Sequence, residues 1–333
     1  MRSSARSPIR RFLFARKQRS VERQYQASLN IDLFIAPFRV CWEATAPLVF
    51  KSPEFGRDIS SKVRTSEHNQ GMSLHFERLG TGPPLLMVHG LGANLRTWDP
   101  LLIPLSGSRE LILVDLPGHG RSTSLAGPQT VEAYVDALVS FVQLQKLETA
   151  DLVGSSVGGR LVLELARRGI GRHCVALDPG GFWRGWETRW FHWTLAASIR
   201  LVRLLRPFHP NLSRHAFTRT LLLAQLSARP WLLPPHLVVG ELQSLAATPV
   251  FDATLRELAR GPLQQGSALT PGRVTIGWGR HDRLLLPRQA ARAQAAFPSA
   301  RLHWFERSGH FPHWDQPAET VRVILATGGG DAA

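Results

Sequence analysis

Asp151-Leu152-Val153-Gly154-Ser155-Ser156-Val157-Gly158-Gly159 is the stretch on which the reading of this chain turns. A short strand run ends at Val153, and Val157, Leu161, Leu163, Leu165 and Ala166 give the segment 157–169 the apolar face of a helix. The serine between them stands on a sharp strand-to-helix turn. Glycines two residues before it and two after it, Gly154 and Gly158, let strand and helix approach without side-chain clashes. Acyl transfer needs an exposed hydroxyl beside a base, and such a turn presents one. The glycine spacing selects Ser156 over the adjacent Ser155. Taken alone the pattern also describes an ordinary glycine-rich turn; the strand before it and the helix after it favour the nucleophile reading.

Outward from this turn, strand-like and helix-like runs alternate in the manner of a mostly parallel sheet covered by helices. Residues 59–65 and 72–79 read as a hairpin turning at Asn69-Gln70-Gly71. Runs at 85–88, 111–114, 151–153, 174–177, 274–276 and 302–305 are short and mostly apolar, as expected of strands buried on both faces. A second helix is expected over 130–145. Between the run at 174–177 and that at 274–276 lies a long insertion with helical period and many tryptophans. Its position at the C-terminal edge of the sheet, where ligands bind in open α/β folds, reads as a lid. The expected organisation is a basic extension over 1–56, a core over 57–181 and 271–328, a helical lid over 182–270 and a tail over 329–333.

Three further loops carry chemistry. His89-Gly90-Leu91-Gly92 follows the strand at 85–88, and an oxyanion there would meet main-chain N–H groups, assigned to Leu91 and Val157. His89 itself reads as structural. Gly277-Trp278-Gly279-Arg280-His281-Asp282 places a carboxyl group beyond the next strand, able to orient a histidine and fix its tautomer. Asp178 is its rival, but it precedes Pro179-Gly180-Gly181, the exit into the lid. Ser308-Gly309-His310-Phe311-Pro312 puts His310 on a loop past the last strand, as the candidate general base, whereas His303 lies within the strand and His313 beyond the turn.

With its order Ser156, Asp282, His310, the sequence resembles the α/β-hydrolase family, specifically its lidded serine hydrolases, which include carboxylesterases, lactonases and carbon–carbon bond hydrolases. The resemblance covers roughly 57–328 and rests on His89 to Gly92, Trp98, the run Asp115-Leu116-Pro117-Gly118-His119-Gly120-Arg121-Ser122, the turn at Ser156 and the two loops at Asp282 and His310. It implies the α/β-hydrolase fold and an acyl-enzyme mechanism on a small ester or acyl substrate, with no cofactor and no metal. Serine at the turn argues against the family's epoxide hydrolases and haloalkane dehalogenases, which use aspartate. Thioester hydrolysis, carbon–carbon bond hydrolysis, acyl transfer and cofactor-free haloperoxidation remain alternatives on the same three residues. So does a non-catalytic ligand-binding member of the fold.

The 333 residues, 44% of them hydrophobic, suit one large α/β domain with an insertion. Cys41 and Cys174 are the only cysteines, too few for a disulfide scaffold or a paired-cysteine zinc site. The net charge of +15 comes from arginines scattered among Ala, Leu, Gly and Pro without a nucleic-acid-binding signature, so no nucleic-acid partner is expected. Arginines also interrupt every long apolar run, which points to a soluble chain, cytoplasmic in the simplest reading. The first 21 residues carry seven cationic side chains and no acid, a composition that also suits organelle targeting or a membrane-surface arm. In the insertion, Trp183, Trp186, Trp190 and Trp193 recur at near-helical spacing. They are expected either to pack on the core or to wall the substrate site. Arg200, Arg203 and Arg206 recur every three residues, as a solvated face or a contact for an acidic membrane or acyl-carrier phosphate.

Overall fold

The computed structural model describes residues 64–65 and 74–329. The extension 1–56, the hairpin turn at 69–71 and the tail from 330 lie outside the described residues. Among the described residues one sheet contains β1 (Arg64–Thr65), β2 (Phe76–Leu79), β3 (Pro84–Val88), β4 (Glu110–Val114), β5 (Asp151–Ser155), β6 (Cys174–Leu177), β7 (Val274–Gly279) and β8 (Arg301–Phe305). Their order is β1-β2-β4-β3-β5-β6-β7-β8. The β1–β2 and β2–β4 pairs are antiparallel and the other pairs parallel.

The apolar runs are continuous because the sheet is covered on both sides. Leu85 and Met87 of β3 point to one core with Leu111, Leu113, Val153, Leu177 and Phe305. That core is closed by α1 (Asp99–Ser106) and, at the other end of the chain, by a C-terminal helix over Pro317–Gly328. Leu86 and Val88 point to the opposite core with Ile112, Val114 and Leu152, under α2 (Val131–Gln145) and α3 (Val157–Arg167). Thr130 caps α2 by accepting the Ala133 N–H at 3.2 Å, the usual service of a threonine at that position. α3 stops two residues short of the expected 169, because Gly169 at φ +81° turns the chain back and its N–H bonds the Ala166 carbonyl.

The chain runs outward from β3 to β4, then crosses back to the other side of β3 for β5 and the strands after it. At that reversal the loops following β3 and β5 diverge and leave a crevice at their carboxyl ends. Ser156 follows β5 there, and Leu91 follows β3.

The insertion between β6 and β7 is helical: α4 (Trp186–Leu204), α5 (Ala216–Leu223), α6 (Pro235–Ala247) and α7 (Phe251–Arg260), with shorter helical turns between. Phe191, Ile199 and Val202 of α4, Leu223 of α5, Leu242 of α6 and Phe251 of α7 join the core that contains α2 and α3. Beyond β7, α8 (Gln289–Ala296) packs Ala290 and Ala293 into the same core, and α9 is the C-terminal helix already described.

Candidate active site

Ser156 occupies φ +57°, ψ −114°, a conformation that L residues rarely adopt. Such a residue costs on the order of 1–3 kcal/mol and persists only where its surroundings impose it. They do so here. The Ser156 N–H is held by the Leu177 carbonyl at 2.9 Å, and its carbonyl accepts from Arg160 and Gly180 at 3.0 and 3.2 Å. A Cβ at Gly154 would lie 2.2 Å from the Gly158 carbonyl oxygen, and one at Gly158 only 2.1 Å from that of Val88. Both glycines are therefore required by backbone contact. The strain turns the Ser156 side chain into a cavity, while the Ser155 hydroxyl is buried outside it without a hydrogen-bond partner.

The loop after β3 comes against this turn. A Cβ on Gly90 would sit 3.2 Å from the Ser156 Cβ. Leu91 and Val157 both line the cavity beside Ser156. Val157 is the first residue of α3, so its N–H has no partner within the helix. His89 is fixed on both nitrogens: Nδ1 donates to the Gly90 carbonyl at 2.8 Å, and Nε2 accepts the Leu116 N–H at 3.0 Å. Burial holds its pKa below the ordinary histidine range. It is a strut between two loops. Asp115 is another, accepting from Leu95 N–H and His75 Nδ1, each at 2.8 Å, and from Arg121 N–H at 3.0 Å.

Asp282 and His310 meet on the far side of the cavity. Asp282 Oδ2 lies 2.8 Å from His310 Nδ1, and Asp282 Oδ1 accepts the N–H groups of Leu284 and Leu285 at 2.8 and 2.9 Å. Both side chains are buried. His310 lines the same cavity as Ser156, and its Nε2 has no hydrogen-bond partner. The imidazole is thus anchored through one nitrogen, with the other free to exchange a proton. Asp178 stands behind this pair. One oxygen accepts the Gly279 N–H at 2.8 Å, the other is unpartnered, and its carboxyl lies within 4.8 Å of ligand atoms of both Asp282 and His310. Burial, reinforced by the neighbouring Asp282 carboxylate, raises its pKa well above the ordinary aspartate value.

One organising residue escaped the sequence reading. Asp315 accepts the N–H of Gly309 and the N–H of Ala228, each at 2.8 Å, and the Ser227 hydroxyl at 2.5 Å. It fastens the His310 loop to the insertion. Its partners lie far apart in sequence, so no local signal marks it. Nearby His313 is buried and its pKa is pushed down to about 3, chiefly by desolvation, which leaves it neutral and a poor base.

The cavity measures about 50 Å³ and is walled mainly by leucine, isoleucine, valine and phenylalanine; Ser156, Ser198, Gln225 and His310 are its polar residues. The tryptophans do not line it. Trp183 is buried one layer back, stacked on Phe191 with ring centroids 4.8 Å apart, and Phe191 is the aromatic that reaches the cavity. Trp186, Trp190 and Trp193 face outward, 51%, 41% and 63% exposed. The expectation that Trp183, Trp186 and Trp190 form the substrate wall is therefore corrected. The reason is local: Gly185, at φ +55°, breaks the chain before α4, so Trp183 is off the helix and the others occupy the face opposite Phe191.

Residues 85–323 match the family profile described as the alpha/beta hydrolase family, and the chain belongs to that family. Among characterised relatives it is similar to 2-hydroxymuconate semialdehyde hydrolase of Pseudomonas sp. strain CF600, 30% identical over 82% of this chain and 93% of that protein. Among solved structures it resembles the enol-lactonase of Burkholderia xenovorans LB400, with a TM-score of 0.64, 18% identity and coverage of 79% of this chain and 99% of that one. It also resembles a thermophilic esterase of Thermogutta terrifontis, with a TM-score of 0.61, 22% identity and coverage of 80% and 96%.

Proposed function

We propose that this chain is a serine hydrolase that cleaves carboxylic esters with an apolar acyl group, using Ser156 as nucleophile, His310 as general base and Asp282 as its orienting acid. The observation that carries the reading is the 2.8 Å contact between Asp282 Oδ2 and His310 Nδ1, with His310 Nε2 left unpartnered at the cavity into which Ser156 opens. As His310 takes the Ser156 proton, Oγ bonds to the substrate carbonyl carbon, and the N–H groups of Leu91 and Val157 receive the oxyanion. Collapse breaks the bond to the leaving alcohol, which takes that proton from His310. Water, deprotonated by the same histidine, then attacks the acyl-enzyme. The carboxylic acid departs and the proton returns to Ser156. In this reading the helical insertion serves as a lid.

The apolar walls support an alkyl or aryl acyl group. No lysine or arginine lines the cavity, so a substrate carboxylate would be buried there without a counter-charge. The relative named for 2-hydroxymuconate semialdehyde supports a second reading, carbon–carbon bond hydrolysis on the same three residues. The lining favours the ester. Turnover of p-nitrophenyl esters of graded chain length, with fluorophosphonate labelling, tests the proposal. Wild-type protein should hydrolyse and label, and Ser156→Ala should do neither. Undiminished labelling of Ser156→Ala overturns the assignment, and an inert, unlabelled wild type points to a non-catalytic member of the fold.

A further inference from the structure

The outward face of α4 is apolar, although water should favour polar residues there. Its inner positions, Phe191, Leu195, Ile199 and Val202, line the cavity. Trp186, Trp190, Trp193, Ala197, Leu201 and Leu204 follow one another at spacings of four, three, four, four and three and are all exposed, Leu204 to 74%. These six positions form one stripe along a 19-residue helix about 28 Å long. Trp190 still donates its indole N–H to the Arg283 carbonyl at 3.0 Å, and Arg288 stacks on Trp186, so the N-terminal end of the helix is anchored while its outer surface stays open. An exposed stripe of this size marks an interaction surface.

Charge identifies what it meets. From 182 to 247 the only acidic residues are Glu187 and Glu241, and both are buried. Glu187 is further neutralised by Arg288 and Arg292. Arg189, Arg200 and Arg206 are exposed beside the stripe and pair with no described acid, whereas Arg203 is held by Asp252 at 2.5 Å. The face is therefore a ridge of tryptophan and leucine edged with arginine; the exposed carboxylate at its edge, Asp252, is paired with Arg203. Tryptophan rings settle where acyl chains meet headgroups, and arginines bind the phosphates above them. A second copy of this chain would bring the same arginines and be repelled. Among the described residues no helix is long and apolar enough to cross a membrane.

We infer that the outer face of α4 docks on the surface of an anionic lipid bilayer, with the helix lying in the interface. Docking places the roof of the Ser156 cavity against the lipid. The surface itself does not depend on the catalytic reading, because partitioning is measured without turnover.

The test is co-sedimentation of the full chain with phosphatidylcholine vesicles and with vesicles containing phosphatidylglycerol, at low and high salt. The anionic vesicles should bind at least about tenfold more protein, and salt should weaken binding, since the arginines act through a charge attraction that salt screens. The triple variant Trp193→Glu, Leu201→Glu, Leu204→Glu should lose at least about tenfold in partitioning, while its melting temperature and its turnover of a soluble ester stay near wild type. Arg200→Glu, which changes no apolar residue, should lower the preference for the anionic vesicles. Undiminished partitioning by the triple variant overturns the inference and moves lipid binding to another segment, such as the basic residues 1–56. So does binding to an acidic acyl-carrier protein with no partitioning into vesicles. An inert wild type that still partitions refutes the proposed hydrolysis and leaves the docking surface standing.

Discussion

Two carboxyl groups stand behind His310, and exchanging each for its amide separates their roles. Asp282 bonds His310 Nδ1 at 2.8 Å and receives two backbone N–H groups; burial and the Asp282 charge raise the pKa of Asp178. Asp282→Asn keeps the shape but removes the charge that would stabilise the imidazolium, a change that lowers turnover by about 10⁴-fold in the best-studied serine protease. In this site the loss should be smaller, about 10²- to 10³-fold, because a second carboxyl lies within 4.8 Å of the same cluster and no longer faces a neighbouring charge. Asp178→Asn alone should cost less than about tenfold, since Asp178 accepts from the Gly279 N–H and makes no hydrogen bond to His310. The double variant should then lose at least about tenfold more than the product of the two single losses, a coupling of about 1.4 kcal/mol for each factor of ten beyond additivity. The pH profile supplies a second readout. Burial continues to raise Asp178 in the Asp282→Asn enzyme, so it ionises and assists His310 only as pH rises. The log kcat/KM of that variant should gain an ascending limb that the double variant lacks. Steady-state kinetics on a p-nitrophenyl ester, with circular dichroism as a folding control, measures all four proteins. A loss for Asp178→Asn as large as that for Asp282→Asn would transfer the orienting role to Asp178, and strict additivity would refute the coupling.

Gly158→Ala would set a Cβ 2.1 Å from the Val88 carbonyl oxygen and 2.5 Å from that of His89. It should therefore destabilise the fold by about 1–3 kcal/mol or more, visible as a melting temperature lowered by several degrees, and should reduce turnover by moving the Val157 N–H. A variant with wild-type melting and kinetics would contradict the close approach of α3 to β3. Glu241 is buried and its pKa is raised by desolvation from 4.5 to about 8. Its folded-state pKa exceeds the unfolded one, so its contribution is fully present below about 4.5 and is lost as pH rises toward about 8. Over that window stability should fall by up to about 1.4 kcal/mol per pH unit, and Glu241→Gln should flatten the slope in urea unfolding; an unchanged slope would refute the assignment.

Much of the fold and part of the candidate site are legible in the sequence because they follow from residues close together along the chain. A strand covered on both faces is mostly apolar, so 85–88, 111–114 and 174–177 appear as unbroken apolar runs, whereas β5 carries buried Asp151 and Ser155 at its ends. The turn at Ser156 needs glycines two residues on either side because the obstructing backbone belongs to neighbouring segments, and that demand is written as a spacing. Other features arise only when distant segments meet. The tryptophan period is real over 186–193, but which side of α4 faces the core depends on helices and loops packed from elsewhere, and they draw in Phe191 and leave the tryptophans outside. Asp178 and Asp282 both follow strand ends, and the sequence ranks them only by the loops around them. Their separation into a buried acid with a raised pKa and a hydrogen-bonded partner of His310 comes from the pairing of β6 with β7 and the burial of both groups. Asp315 joins Gly309 to Ala228 across 81 residues, and no local pattern records it, because the hydrogen bonds that give it a role exist only once the insertion has folded over the sheet.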